Sequence, residues 1–303
     1  IVRLSPENRR EPAMRWSSAL FLAAAHALTG PRRGANRSRR APLAAAGSGG
    51  AGGDGFFPEL QERVDELRSR QTALPIVVLD SMLPGQRLTF SSADDALREM
   101  LALCACRAVE EAGEEQYSEG EACGAFGMVG IDRLSGKASA VGVEAVVLSV
   151  TDKDGSLFVD VRGGRIFSVD EEKPASKQQG GFFAREITFA PNYDAEEEAA
   201  AANDATVLAA MVDTWERLVV EGGHERVPNH IELVRGHLGK FPKRASDRAF
   251  WVGALINPLP GLGVALEIRP ALLYAQTARE RVAIAVEGVR GSIAHLSGSK
   301  RLW

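Results

Sequence analysis

Cysteine is nearly missing from this sequence, with three in 303 residues. That number is odd and too small for a disulfide framework. Tyrosine is equally scarce at three, which leaves few ring faces for stacking single-stranded nucleic acid. No apolar run reaches the roughly 18–20 residues that cross a bilayer. The longest, residues 16–28, has 13 positions and includes Ser17, Ser18 and His26. A membrane span is therefore not expected.

The motifs of common chemistries are missing too. Gly136-Lys137 and Gly239-Lys240 lack the Ser/Thr and the upstream glycine of a phosphate-cradling loop. Gly261-Leu262-Gly263-Val264-Ala265-Leu266 has two of the dinucleotide glycines but follows a proline-rich break instead of a strand. No G-x-S-x-G elbow occurs, and Pro228 stands where a second histidine would complete the metal motif opened by His224-Glu225. His230 and His237 are seven apart with no carboxylate or cysteine at tight ligand spacing. Cys104 and Cys106 lie about 200° apart around a helix and do not grip one ion. Cys104 reads as core. The glutamates of 111–121 read as a solvated loop. No catalytic residue, cofactor or metal is expected.

The residues that are present suit a globular chain, 45% hydrophobic and 25% charged. Its charge is split. Residues 1–55 hold nine arginines and three acids, net +6, and the other 248 hold 27 basic and 37 acidic residues, net −10. An acidic body is repelled by nucleic acid and by anionic membranes. From Pro12 to Gly53 there is no acid. Met14-Arg15, the apolar 16–28 stretch and Ala25-His26-Ala27 resemble a signal peptide, and the Arg/Ala/Ser segment beyond resembles a transit peptide. Residues 1–55 are accordingly read as a disordered bipartite targeting leader addressed to a plastid. A single mitochondrial or plastid transit peptide, or an untargeted tail, fits the same composition.

Periodicity then orders the body. Residues 56–73 read as a short helix and linker. Alternating or continuous apolar runs at 76–79, 87–90, 124–131, 141–150, 157–162, 165–169 and 181–189 predict strands. Asp154-Gly155 reads as a hairpin turn, Gly163-Gly164 as a second turn, and 92–110 as a single inserted helix. After Pro191 the period becomes 3.6. Helices are predicted over 194–222, around 231–238, over 247–256 and over 270–292. In the first, Val207, Leu208, Met211, Trp215, Leu218 and Val219 form the buried face. The fold class is α+β: a half-open β-barrel over 74–191, a helical subdomain over 192–295 and a tail over 296–303.

Leu74-Pro75-Ile76-Val77-Val78-Leu79, followed by Leu83-Pro84-Gly85-Gln86-Arg87-Leu88, resembles the opening of the Lon protease N-terminal domain. So does the later order of Phe126-Gly127-Met128-Val129, Val141-Gly142-Val143-Glu144-Ala145 and Val159 to Phe167. The likeness runs over residues 74–290. It departs at Met82-Leu83, where the family more usually has Phe, and at the looser Gly163-Gly164. The resemblance implies a PUA-like β-barrel with a helical subdomain that recognises polypeptides. The family's ATPase and Ser-Lys peptidase lie downstream of the module and have no counterpart in the residues given. The expectation is a non-enzymatic binder of unfolded or partner polypeptides in an organelle, working in proteostasis, with a separate AAA+ protease as a further partner. An RNA-binding factor of the PUA-like class, or a hydrolase with an unrecognised site, is the alternative. Contacts are expected at Met82, Leu83, Pro84, Gly85, Phe126, Met128 and Phe167, through exposed apolar side chains or adjoining open strand edges. The same apolar residues are equally those that a strand turns inward.

Overall fold

Seven strands form: β1 (Gln71–Val78), β2 (Arg87–Ser92), β3 (Ala125–Ile131), β4 (Ala138–Lys153), β5 (Ser156–Val169), β6 (Ser176–Lys177) and β7 (Phe183–Phe189). Six of them cover the apolar runs read as strands, with 157–162 and 165–169 joined in β5; the short β6 was not foreseen, and β1 starts at Gln71, inside the expected linker. The computed structural model describes residues 71–112, 124–132, 135–178, 180–191 and 193–299. The expected leader, most of the 56–73 segment, nearly all of the acidic loop and the end of the tail lie outside these residues. Among the described residues no helix is long and apolar enough to cross a membrane.

The strands make one sheet in the order β2-β5-β4-β3-β1-β7-β6, with β5 also pairing to β7. That last pairing joins Phe167 to Phe189, Ser168 to Thr188 and Val169 to Ile187, and it closes a ring of β5, β4, β3, β1 and β7. The first half of β5 pairs with β2 instead. The barrel is thus shut along the end of β5 and open along its start, the half-open form expected. β1 and β3 run parallel, which a tight hairpin cannot produce; β2 and a helix make the crossover.

Alternation sends successive residues to opposite faces of the sheet. Val77 joins Met82, Leu88, Phe90, Phe126, Met128 and Val161 under the inserted helix α1 (Asp95–Ala112). Ile76 and Val78 join Val129, Phe167, Ile187 and Phe189 on the other face. There the Phe167 ring occupies the space above two glycines. A Cβ on Gly127 would lie 2.8 Å from its Cζ, and one on Gly142 would lie 2.7 Å from it and 2.5 Å from the Met128 carbonyl oxygen.

Six further helices follow: α2 (Ala195–Ala201), α3 (Val207–Glu221), α4 (His230–Leu238), α5 (Ala245–Ile256), α6 (Arg269–Tyr274) and α7 (Ala278–Leu296). They enclose a core of Leu208, Trp215, Phe250, Leu255, Leu272 and Val289. The Trp215 indole donates to Ser292 at 2.8 Å, and Ser292 donates to the Val264 carbonyl at 2.6 Å. Buried Glu198 of α2 accepts the Ser246 N–H at the start of α5, which satisfies a donor that the helix leaves unpaired.

Three local expectations need correction. The helix foreseen over 194–222 is two helices with a 3-10 turn at Asp204–Thr206; the restarted α3 exposes Val207 at 46% and buries Val212 instead. The helix foreseen over 270–292 breaks before Thr277, whose side chain and Glu280 cap α7 reciprocally. Gly163-Gly164 is no turn, because β5 runs through it. Glycine at 163 answers close approach, since a Cβ there would sit 2.1 Å from the Leu83 carbonyl oxygen.

Gly142→Ala should lower unfolding stability by about 1–3 kcal/mol, the usual cost of overpacking a closed core. The urea midpoint by tryptophan fluorescence checks this.

Candidate functional site

The Leu83-Pro84-Gly85 turn, which the sequence singles out, is the joint between barrel and helices. Pro84 presets one turn torsion, and Gly85 adopts φ +78°, a left-handed conformation that suits glycine. The turn is bonded to β5: Gly85 N–H donates to the Gly163 carbonyl and Gly163 N–H to the Gln86 carbonyl, both at 2.8 Å. Gln86 is 3% exposed. Its amide oxygen accepts the Leu83 N–H, and its amide nitrogen donates to the Asn257 carbonyl at 3.0 Å. Asn257 passes the link on, donating to the Leu266 carbonyl and accepting the Ile268 N–H. A second tie lies beside it. Arg269, buried to 5% side-chain exposure, pairs with Glu267 and, across the joint, with Asp80. Burial opposes its charge, but the hydrogen bond to Glu267 and the charge of Asp80 outweigh this and raise its pKa.

Five of the expected contact residues are not at a surface. Met82, Leu83, Phe126, Met128 and Phe167 are 0–1% exposed. Moreover they belong to three separate clusters: Leu83 to the helical core, Phe167 to the core closed by β7, and the other three to the core beneath α1. Burial of large apolar side chains is favourable at about 25 cal/mol per Å², and here every one of them has a core to enter. Only Pro84 and Gly85 are half-exposed.

What the turn does expose is the strand it starts. β2 pairs with β5 on one side, and among the described residues no strand pairs with its other side. The Gly163-to-Gln86 bond fixes the phase of the ladder. Leu88 and Phe90 then turn their backbone groups toward β5, while Arg87 and Thr89 turn theirs to the open edge. On the outer face beside this edge stand exposed Arg87, Thr89 and Arg162, half-buried Phe158 and, beneath the Arg87 guanidinium, buried Asp160. The Arg87 guanidinium is held by Asp160 through bonds that include 2.9 Å contacts from Nε to both carboxylate oxygens; this hydrogen bonding raises its pKa. Thr89 Oγ1 lies 3.4 Å from Asp160 Oδ1. His237, exposed at the end of α4, has its pKa lowered by partial desolvation of its ring and then by the nearby charge of Arg87, with Asp160 opposing. The sequence reading missed these residues, although the alternation of Val159-Asp160-Val161-Arg162 signals a strand with one polar face.

Among the described residues no group of three or more His, Cys, Asp or Glu side chains is placed to hold a metal ion. His230 is buried at the start of α4, apart from exposed His237. Cys104 is buried as expected, and the Cys106 side chain lies outside the described set. What the described residues of the site offer is backbone hydrogen bonds and a charged face.

No protein family model matches the chain, and no curated protein does. Solved structures similar to it include two Lon N-terminal domains. The crystal structure of a Lon N-terminal domain protein from Xanthomonas campestris is 20% identical, with a TM-score of 0.41, over 71% of this chain and 98% of that one. The N terminal domain of the Mycobacterium avium complex Lon protease is 19% identical, with a TM-score of 0.45, over 72% of this chain and 98% of that one.

Two outcomes are expected from this geometry. Gln86→Ala strands the buried Leu83 N–H and Asn257 carbonyl, and should cost about 1–3 kcal/mol; chemical denaturation measures it. Buried His230 has its pKa lowered from 6.5, burial being the main cause. The unfolded chain therefore binds more protons below that pH, and stability falls as the pH drops through it. The thermal midpoint should decline from pH 7.5 to 5.5, and a His230→Gln chain should decline less.

Proposed function

We propose that this chain is a non-catalytic module of the Lon N-terminal kind that binds unfolded or partner polypeptides. The carrying observation is the outer edge of β2, with which no strand pairs among the described residues, set immediately after the Leu83-Pro84-Gly85 turn and held by the barrel–helix joint. An unpaired edge carries alternating N–H and C=O groups, and an extended peptide satisfies them by adding as a strand. Such recognition takes its affinity from the main chain, so it tolerates many sequences, as a receptor for unfolded chains must. The edge is also rigid: Gly85, Gln86 and Gly163 bind it to β5 at one end, and Phe90 is anchored in the core.

The acid-free stretch from Pro12 to Gly53 supports an organelle address, with a plastid as the destination and the mitochondrion as the alternative. A polypeptide held without chemistry needs a consumer, and a separate AAA+ protease is the partner that the family resemblance suggests. In this role the chain serves proteostasis as a recognition part.

Fluorescence anisotropy of a labelled, permanently unfolded protein, such as a reduced and alkylated one, tests the binding. Thr89→Pro deletes an outward N–H and leaves the bonds from Leu88 and Phe90 to β5 in place; proline is tolerated on edge strands. It should weaken binding by about tenfold while changing stability by less than about 1 kcal/mol. No binding by the unaltered chain, or equal binding by a folded Thr89→Pro chain, refutes the proposal.

A further inference from the structure

The register of β2 on β5 sets two cations opposite each other. Arg87 is the cross-strand partner of Arg162, and Thr89 is the partner of Asp160. Like charges directly opposite are destabilising in a sheet. Asp160 answers only one of them: it holds Arg87, whereas Arg162 is exposed and makes no ion pair among the described residues. A positive charge is left over beside the open strand edge, in a body whose residues beyond 55 carry net −10. Thr89 and half-buried Phe158 complete the face.

The geometry points to an acidic extended segment of a partner polypeptide as the occupant of this edge, its main chain paired along β2 and an Asp or Glu side chain seated against Arg162 and Arg87. This deepens the polypeptide-binding reading and rests on it. A strand added beside β2 places every second side chain on the Arg87 face. The motif recognised is thus an alternation, with acids two residues apart, not a block of charge. A carboxylate there supplies the counter-charge that Asp160 does not, and a planar guanidinium binds carboxylate through two parallel bonds. The phosphate of RNA is also an anion, but base stacking has only Phe158 on this face, and the acidic body repels a polyanion over its length.

The test uses the full 303-residue chain and three labelled ten-residue peptides of alternating Thr and X, with X as Glu, Gln or Lys. Anisotropy is read at low and high salt. The Glu peptide should bind about tenfold tighter than the Lys peptide at low salt, and screening should shrink that ratio. Arg162→Gln should remove most of the ratio without changing affinity for the Gln peptide, and Arg162→Lys should keep it. Arg290→Gln, an exposed arginine on α7 paired to Glu287, serves as the control and should change nothing. Equal affinity for the Glu and Lys peptides, or a ratio that survives Arg162→Gln, overturns the acidic assignment and leaves polypeptide binding standing. No binding of any peptide or unfolded chain overturns both. Tighter retention of a single-stranded RNA oligonucleotide than of the Glu peptide overturns the choice of occupant.

Discussion

One buried carboxamide joins the two halves of this molecule. Gln86 takes the Leu83 N–H with its oxygen and reaches the Asn257 carbonyl with its nitrogen. Both groups would otherwise lie unpaired in a dry interior, where each costs as much as a lost hydrogen bond or more. The bond therefore works as a positional constraint more than as a source of cohesion. Apolar contacts between barrel and helices tolerate sliding, and a two-sided amide does not. Around it the fit is steric: Leu83 enters the helical core and meets a Gly253 that has no room for a Cβ. Arg269, bonded to Asp80 and Glu267, is a second tie across the same joint.

A rigid joint matters because of what leaves it. β2 begins one residue after Gln86, and its outward backbone groups are only as well placed as the turn that precedes it. A floppy edge strand would lose entropy on taking up a peptide; one fastened at its first residue has already lost it. The same fastening sets the register that puts Arg87 against Arg162. Under the proposed function, recognition is a by-product of closure. β5 is long enough to serve β2 with its first half and β7 with its last residues, so the barrel closes at one end while the other offers an edge.

The fold was largely legible in the residues and the site was not. Period-2 alternation, the Asp154-Gly155 hairpin and the shift to period 3.6 after Pro191 are local signals, and each appears in the structure near its expected place. The helix breaks at 204–206 and before Thr277 were missed, because apolar periodicity carries across a break whose cause is packing or a cap. The apolar residues near the turn misled for a related reason. Met82, Phe126 and Phe167 look alike in sequence whether a strand turns them to solvent or to a core, and only the partners across the sheet decide. Arg87, Asp160 and Arg162 were visible as the polar members of alternating strands, but their juxtaposition spans more than 70 residues of chain.

By itself the sequence determined the fold class, the basic residues 1–55 ahead of an acidic body, the lack of familiar catalytic motifs and the place of the turn. These depend on composition, on short-range periodicity and on the special torsions of proline and glycine, none of which needs a distant partner. The tertiary structure alone decided which apolar residues became core, why residue 163 must be glycine, that Gln86 meets Asn257 and that β2, at the end of the sheet among the described residues, sets two arginines abreast. Those are long-range pairings, in which each residue's role is set by a neighbour that the chain brings back from far away.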